Sequence, residues 1–72
     1  MEADRQIEAF GKRLRALRKE RGLSQEGFAA LVDLDRTYIG GIERGERNPG
    51  LKVICKIAAS LDVKTSQLFE SE

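Results

Sequence analysis

The arginines in the middle of this chain are the side chains whose type and spacing could do chemistry, namely Arg36, Arg44 and Arg47. A guanidinium can bond two oxygens of a phosphate, or O6 and N7 of guanine, at once. The usual groups of catalysis are missing, because the chain has no His and its one thiol, Cys55, has no imidazole to activate it. The composition therefore favours binding over catalysis, and we expect no enzyme activity, no metal and no other cofactor.

Length and composition indicate one soluble domain. At 72 residues the chain has room for a single domain over residues 1–72, and 13 Lys and Arg against 12 Asp and Glu leave a net charge of only +1. A single cysteine excludes an intrachain disulfide, and we expect a reducing, cytoplasmic location. No stretch approaches the ~20 apolar residues of a membrane helix, so no membrane association is expected, and no small-molecule ligand is evident.

Helical periodicity predicts an all-α domain. Apolar residues recur at steps of three and four, and the segments are bounded by Gly, Asp and Pro. Ser24 and Asp35 are good N-caps, Ile39 and Ile42 point inward one turn apart, and Leu68 and Phe69 return to the core. The pattern predicts five short helices, over residues 7–20, 24–32, 36–44, 51–61 and 65–69.

The second and third predicted helices are separated by only three residues, and that spacing indicates a helix-turn-helix over residues 24–44. In this motif the first helix presents its N-terminus to a phosphate, here through Ser24 and Gln25, while the second enters the major groove. With Ile39 and Ile42 inward, the outward positions of the second helix are Thr37, Gly40, Gly41 and Arg44, with Arg36 projecting from its first turn.

The glycine pair Gly40-Gly41 needs a reason, since each glycine inside a helix costs roughly 1 kcal/mol relative to Ala. Because both are predicted to point outward, close approach of DNA supplies one, and Gly41 is assigned to the DNA backbone. The alternative is that another helix of the same protein packs against them. That role would turn the glycines inward.

The first helix has a basic face between Lys12 and Arg21, where six Lys and Arg oppose only Glu20. Such a run either attracts nucleic acid or simply solvates an exposed helix. Glu43 lies beside the inward positions of the third helix and would repel phosphate, so we interpret it as a structural partner for an arginine of the first helix.

The run from Leu23 to Phe69 resembles the Cro and C1-repressor type of helix-turn-helix domain. The resemblance lies in Leu23-Ser24-Gln25-Glu26, in Ile42-Glu43-Arg44-Gly45 and in Arg47-Asn48-Pro49. It implies a compact five-helix fold of the lambda-repressor-like DNA-binding type. More narrowly, the stretch from Asp35 to Asn48 resembles the controller proteins of bacterial restriction-modification systems. That likeness implies a transcriptional regulator that binds a double-stranded, partly palindromic operator and controls its own gene and a neighbouring endonuclease gene.

The same resemblance implies the residues that contact DNA. The residues that it implies for contacts with bases are Arg36, Thr37, Tyr38 and Arg47. Those that it implies for contacts with the DNA backbone are Ser24, Gln25, Arg44 and Asn48. Two of these have ordinary alternatives: the Tyr38 ring could be half-buried packing with its hydroxyl in water, and Asn48 could shape the turn before Pro49.

A homodimer is the expected assembly, because a core of this size without a disulfide or metal is marginal. Predicted helices 4 and 5, over residues 51–69, would form the interface and set two recognition helices about 34 Å apart. The candidate interface residues are Leu51, Ile54, Cys55, Val63 and Phe69.

Cys55 is interpreted as a small core or interface residue, with a redox switch as the alternative. Glu26 is the candidate for contact with RNA polymerase.

Three other functions compete with this interpretation. A phage-type repressor would use the same fold, and an antitoxin-like module would bind protein chiefly. An RNA-binding protein is the third, but the chain lacks an aromatic platform for stacking bases.

Two residues depart from the usual pattern of the domain. Gly27 replaces a helix former and Gly50 replaces Ser, so frayed starts are expected for the second and fourth helices.

Overall fold

The computed structural model describes residues 2–70, and the fold within that range is all-helical. Four α-helices, α1 (Glu2–Glu20), α2 (Gln25–Val32), α3 (Arg36–Glu43) and α4 (Leu51–Leu61), are followed by a short 3-10 helix (Thr65–Phe69). The predicted fifth α-helix is therefore wrong in type. Its five residues are closed by an i to i+3 bond of 2.9 Å from the Gln67 N–H to the Lys64 carbonyl, the pattern of a tighter helix.

Helix α1 begins at Glu2, five residues before the predicted start at Ile7. The apolar stripe marks only the part of the helix that touches the core, and Ile7 itself is half-buried. The first turn carries Glu2 and Asp4 and the last turn carries Arg18 and Lys19, which is the charge order that the helix dipole favours.

The capping residues explain where α2 and α3 begin. The Ser24 hydroxyl accepts from the Gly27 N–H at 2.9 Å, and an Asp35 carboxylate oxygen accepts from the Thr37 N–H at 2.7 Å. The expected fraying of α2 is wrong, because this cap uses the backbone of Gly27 and needs no side chain there. Helix α4 has no side-chain cap at Gly50, yet it begins at Leu51 as predicted.

The core lies between all five elements and includes Ile39 and Ile42 at 0% exposure, which confirms their inward assignment. Helix α1 crosses the end of α3 at Gly11, where a Cβ would collide with the Ile42 carbonyl and lie 2.8 Å from that of Glu43. Leu68 is buried, as predicted. The buried apolar residues are Phe10, Leu14, Leu17, Phe28, Ala29, Val32, Ile39, Ile42, Ile57, Ala58, Leu61 and Leu68.

Phe69 does not return fully to the core. Its side chain is 54% exposed, and its ring lies on that of Phe10 with the centroids 5.2 Å apart. The sequence pattern overestimated its burial because a single 3-10 turn can turn only one of two adjacent side chains inward. None of the helices within residues 2–70 is long and apolar enough to cross a membrane.

Candidate nucleic-acid interface

Helices α2 and α3 form the predicted helix-turn-helix. The turn is made by residues 33–35, and Asp33 adopts a left-handed conformation with φ of 58°. The N–H of Leu34 then donates to the Ala29 carbonyl at 2.9 Å, which closes the end of α2. The chain leaves this turn directly into the Asp35 cap of α3, so the angle between the two helices is determined by local hydrogen bonds.

The first turn of α3 presents its side chains to solvent. Arg36 and Thr37 are exposed, and Tyr38 is half-buried against the core. The Tyr38 ring packs against the core, and its contact with DNA stays a prediction. Within residues 2–70 the guanidinium of Arg36 makes no ion pair, which leaves its donors free for a ligand.

The N-terminus of α2 lies beside the end of α3. Ser24 and Glu26 are exposed, while Gln25 is half-buried and its Nε2 donates to Oε1 of Glu43 at 3.0 Å. The amide of Gln25 is thus held in one orientation. Its own oxygen lies 3.5 Å from the position that a Cβ of Gly40 would occupy.

A buried ion pair joins α1 to α3. Nε and Nη2 of Arg18 donate to Oε2 and Oε1 of Glu43 at 2.6 and 3.0 Å, and Nη1 of Arg18 donates to the Leu23 carbonyl at 2.7 Å. The two side chains are only 8% and 2% exposed. The hydrogen bond to Glu43 raises the pKa of Arg18 although burial opposes it. The interpretation of Glu43 as a structural partner of a first-helix arginine is confirmed.

The basic face of α1 is smaller than its sequence suggests. Besides the buried Arg18, Arg13 donates to the Gln67 carbonyl at 2.8 Å, and Arg21 donates to the Leu61 carbonyl at 3.0 Å. Three of the six basic residues, two in α1 and one in the turn after it, therefore bond to distant parts of the fold. The remaining three are exposed, namely Lys12, Arg15 and Lys19.

Arg15 belongs to the candidate interface, although the sequence did not predict it there. A shallow depression of about 400 Å³ is lined by Arg15, Arg18, Gln25, Glu43 and Arg44. Because Arg18 and Glu43 neutralise each other, Arg15 and Arg44 supply its positive charge. The signal was available in part: Arg15 lies one turn before Arg18 on the same face of α1.

The prediction that Gly40 and Gly41 form an open outward surface is wrong. Both are buried, and the space beside them is filled by arginine side chains. A Cβ at Gly40 would lie 3.0 Å from Nη1 of Arg44, and a Cβ at Gly41 would lie 2.7 Å from Cγ of Arg47. Gln25 of α2 also approaches Gly40, with its Oε1 3.5 Å from that Cβ. The helical periodicity correctly predicts that Ile39 and Ile42 point inward. It does not predict that long side chains from later in the sequence fold back over the glycines.

The segment after α3 folds back across that helix. Gly45 has φ of 76°, its N–H donates to the Ile42 carbonyl at 3.0 Å, and the Glu46 N–H donates to the Gly41 carbonyl at 2.8 Å. These two bonds form a Schellman motif. Arg47 and Asn48 follow it and are exposed before the buried Pro49. The guanidinium of Arg44, also exposed, pairs with Glu46 at 3.1 Å.

The outer side of α4 presents an apolar surface. Leu51 is 70% exposed, Cys55 is exposed, and Ile54 is half-buried against the core. These residues share one face of the helix because they are spaced by three and four. The interpretation of Cys55 as a core residue is wrong, and the interface alternative stays a prediction. Val63 is half-buried nearby in sequence, before the 3-10 helix.

Comparison with known proteins places this geometry among DNA-binding regulators. The sequence model of the helix-turn-helix family matches residues 14–68. Control protein C.MunI of a Mycoplasma species is 54% identical over 61 residues, which cover 83% of this chain and 82% of that protein. The crystal structure of the restriction-modification controller protein C.AhdI from Aeromonas hydrophila superimposes with a TM-score of 0.85 at 52% identity, over 88% of this chain and 96% of that one. The controller protein C.Esp1396I, crystallised as a tetramer with its natural 35 base-pair operator, superimposes with a TM-score of 0.79 at 36% identity, over 88% of this chain and 83% of that one.

Proposed function

The chain belongs to the helix-turn-helix family and, within it, to the restriction-modification controller proteins, and we propose that it binds a partly palindromic operator as a dimer to control its own gene and a neighbouring endonuclease gene. It is a DNA-binding transcriptional regulator and not an enzyme. The observation that supports the operator proposal most directly is the exposed start of α3, where Arg36 and Thr37 extend from a helix that is capped by Asp35 and held by Arg18.

Base reading is assigned to Arg36, Thr37, Tyr38 and Arg47. Arg36 can bond O6 and N7 of guanine at once, and Thr37 offers a hydroxyl to a base or a methyl to thymine. Positive charge at a helix N-terminus opposes the helix dipole, so Arg36 is better explained by a ligand than by stability. The ring of Tyr38 packs against the core, which leaves its hydroxyl end as the contact group.

Backbone contacts are assigned to Ser24, Gln25, Arg44 and Asn48, and the geometry adds Arg15. The N-terminus of α2 offers free N–H groups and a partial positive charge to a phosphate. Arg15 and Arg44 line the same depression as Gln25. A phosphate at this place would meet two cations and a helix N-terminus. The side chain of Arg47 covers Gly41, so Gly41 is not among the residues proposed to contact the DNA backbone.

The dimer is assigned to residues 51–69, within the single domain proposed for residues 1–72. The exposed apolar side chains of Leu51 and Phe69 support this assignment, because they flank Ile54 and Cys55 on the part of the chain that follows the helix-turn-helix. The tetramer of C.Esp1396I on its operator supports a multimer in this family. A two-fold pair places two copies of α3 on successive turns of one face of DNA.

Selection of binding sites from random duplex DNA tests the proposal. The wild type is expected to enrich paired half-sites about 10 base pairs apart, and Arg36→Ala is expected to lose preference at one position of each half-site. Arg5→Ala removes the same guanidinium from an exposed residue near the start of α1 and is the matched control. Failure of the wild type to enrich any sequence, with Arg5→Ala and Arg36→Ala behaving alike, would overturn the proposal.

Contact with RNA polymerase is assigned to Glu26, which is exposed in the first turn of α2. Its carboxylate is available to a basic partner while the rest of the motif lies on DNA. Glu26→Gln is expected to keep operator binding and to lose activation in a purified transcription assay. Loss of operator binding by this variant would contradict the assignment.

A further inference from the structure

Gly41 is placed to control the side chain of Arg47, and two separate contacts connect them. The first is in the backbone: the Gly41 carbonyl accepts from the Glu46 N–H at 2.8 Å as part of the Schellman motif. That bond reverses the chain at the end of α3. Arg47, the next residue, therefore starts back across the helix instead of away from it.

The second contact is between side chain and backbone. A Cβ on Gly41 would lie 2.7 Å from Cγ of Arg47, 3.4 Å from Nε and 3.6 Å from Cδ. The stem of Arg47 thus lies lengthwise over the bare Cα of Gly41, from Cγ to the guanidinium. Any larger residue at 41 would displace this stem close to its root, where it cannot move without turning the whole side chain.

The neighbouring glycine provides a contrast. A Cβ on Gly40 would meet Nη1 of Arg44 at 3.0 Å, which is the far end of a flexible side chain. Arg44 is 57% exposed and pairs with Glu46, so its tip can move aside with little change in its surroundings. The two glycines are adjacent in one helix, but only Gly41 contacts an arginine side chain near its Cα, at Cγ of Arg47.

We propose that Gly41 is a positioning residue for DNA reading: it holds Arg47 across α3 so that the guanidinium reaches its base next to the residues at the start of the helix. The inference rests on the proposed function, in which Arg47 reads a base. A side chain that is already ordered loses less conformational freedom on binding. The specificity of Arg47 therefore depends on the absence of a side chain six residues before it.

A double-mutant cycle on the operator obtained by selection tests this inference. Arg47→Ala is expected to weaken binding about ten-fold or more and to lose preference at one base pair. Gly41→Ala is expected to reproduce both effects, and the double variant is expected to bind no worse than Arg47→Ala alone. Gly40→Ala has the same gain in helix propensity and moves only the tip of Arg44, a proposed backbone contact, so it is expected to keep the preference at that base pair whatever its affinity.

The outcomes separate this inference from the function on which it rests. Gly41→Ala binding like Gly40→Ala, or additive losses in the double variant, would overturn the positioning role and leave DNA binding intact. Arg47→Ala binding like the wild type would overturn the role of both residues, while the selection with Arg36→Ala still decides the function.

A measurement on the unmodified protein covers the case in which Gly41→Ala fails to fold. Nitrogen relaxation of the arginine Nε–H groups in the free wild type is expected to show Arg47 more ordered than Arg36, whose guanidinium makes no ion pair within residues 2–70. Equal mobility of the two groups would overturn the inference, because no preformed position would then exist for Gly41 to hold.

Discussion

Arg18 in α1 binds Glu43 at the end of α3 through two hydrogen bonds of 2.6 and 3.0 Å, although the two residues lie 25 positions apart. The carboxylate of Glu43 also accepts from Gln25 at the start of α2 at 3.0 Å. One buried carboxylate therefore connects the three helices that carry the proposed DNA-binding surface. The orientation of α3 depends on this connection as well as on its apolar face.

Replacing Arg18 with methionine is expected to lower the free energy of unfolding by about 3 kcal/mol, because it leaves the carboxylate of Glu43 buried without its cation. Urea denaturation followed by circular dichroism measures the change. Arg44→Met, which breaks the exposed pair with Glu46, is the control and is expected to cost less than about 1 kcal/mol. Similar losses in the two variants would contradict the structural role of the buried pair.

The contribution of Arg18 to stability is expected to persist in alkaline solution. Its pKa is raised in the folded protein, chiefly by the hydrogen bond to Glu43. A raised pKa means that the stabilisation is complete below the pKa of the unfolded chain and is lost only as the pH passes above the folded value. The difference in unfolding free energy between the wild type and Arg18→Met is thus expected to be equal at about pH 7 and about pH 10. A decline over that range would contradict the assignment.

Gly11→Ala is expected to destabilise the protein despite the better helix propensity of alanine. The added Cβ would collide with the carbonyl of Ile42 and approach that of Glu43, and these are backbone atoms that cannot turn aside. We expect a loss of 2 kcal/mol or more, on the order of other overpacked core sites. Gly27→Ala is the control and is expected to cost less than Gly11→Ala, because its Cβ would meet only the Ser24 hydroxyl, at 3.2 Å, and no backbone atom.

Glu46→Gln is expected to strengthen DNA binding several-fold at low salt. Glu46 is exposed beside the proposed interface and pairs with Arg44 at 3.1 Å, so it competes with phosphate for that cation. Fluorescence anisotropy at two salt concentrations measures the change and is expected to show a steeper salt dependence. Glu70→Gln removes a carboxylate that pairs with Arg13, on another face, and is the matched control. Equal effects of the two variants would indicate a general charge effect only.

Leu51→Glu is expected to weaken the dimer without weakening the fold. Leu51 is 70% exposed in the first turn of α4, where the helix dipole stabilises a carboxylate. Loss of the dimer would therefore not reflect unfolding of the helix. Sedimentation equilibrium measures the association. Leu31→Glu changes another exposed leucine, on α2, and is expected to dimerise as the wild type does. The reverse result would place the interface on α2.

The sequence was sufficient for features that depend on near neighbours in the chain. The start of α3 follows from Asp35, whose carboxylate reaches the N–H only two residues on, and the inward face of α3 follows from the spacing of Ile39 and Ile42. Such interactions close within one turn and leave a direct pattern in the residue order. The helix-turn-helix was predictable for this reason, whereas the base-reading residues were implied by a family resemblance and stay a prediction.

Only the tertiary structure decided which cations remain available to DNA and which hold the protein together. The bonds of Arg13, Arg18 and Arg21 reach partners 54, 25 and 40 residues away, and the residue order does not specify those partners. The burial of Gly41 likewise depends on how the chain turns at Gly45 and brings Arg47 back across α3. Charge and periodicity are properties of sequence, whereas the partner of a long flexible side chain is chosen by the surfaces that folding brings within its reach.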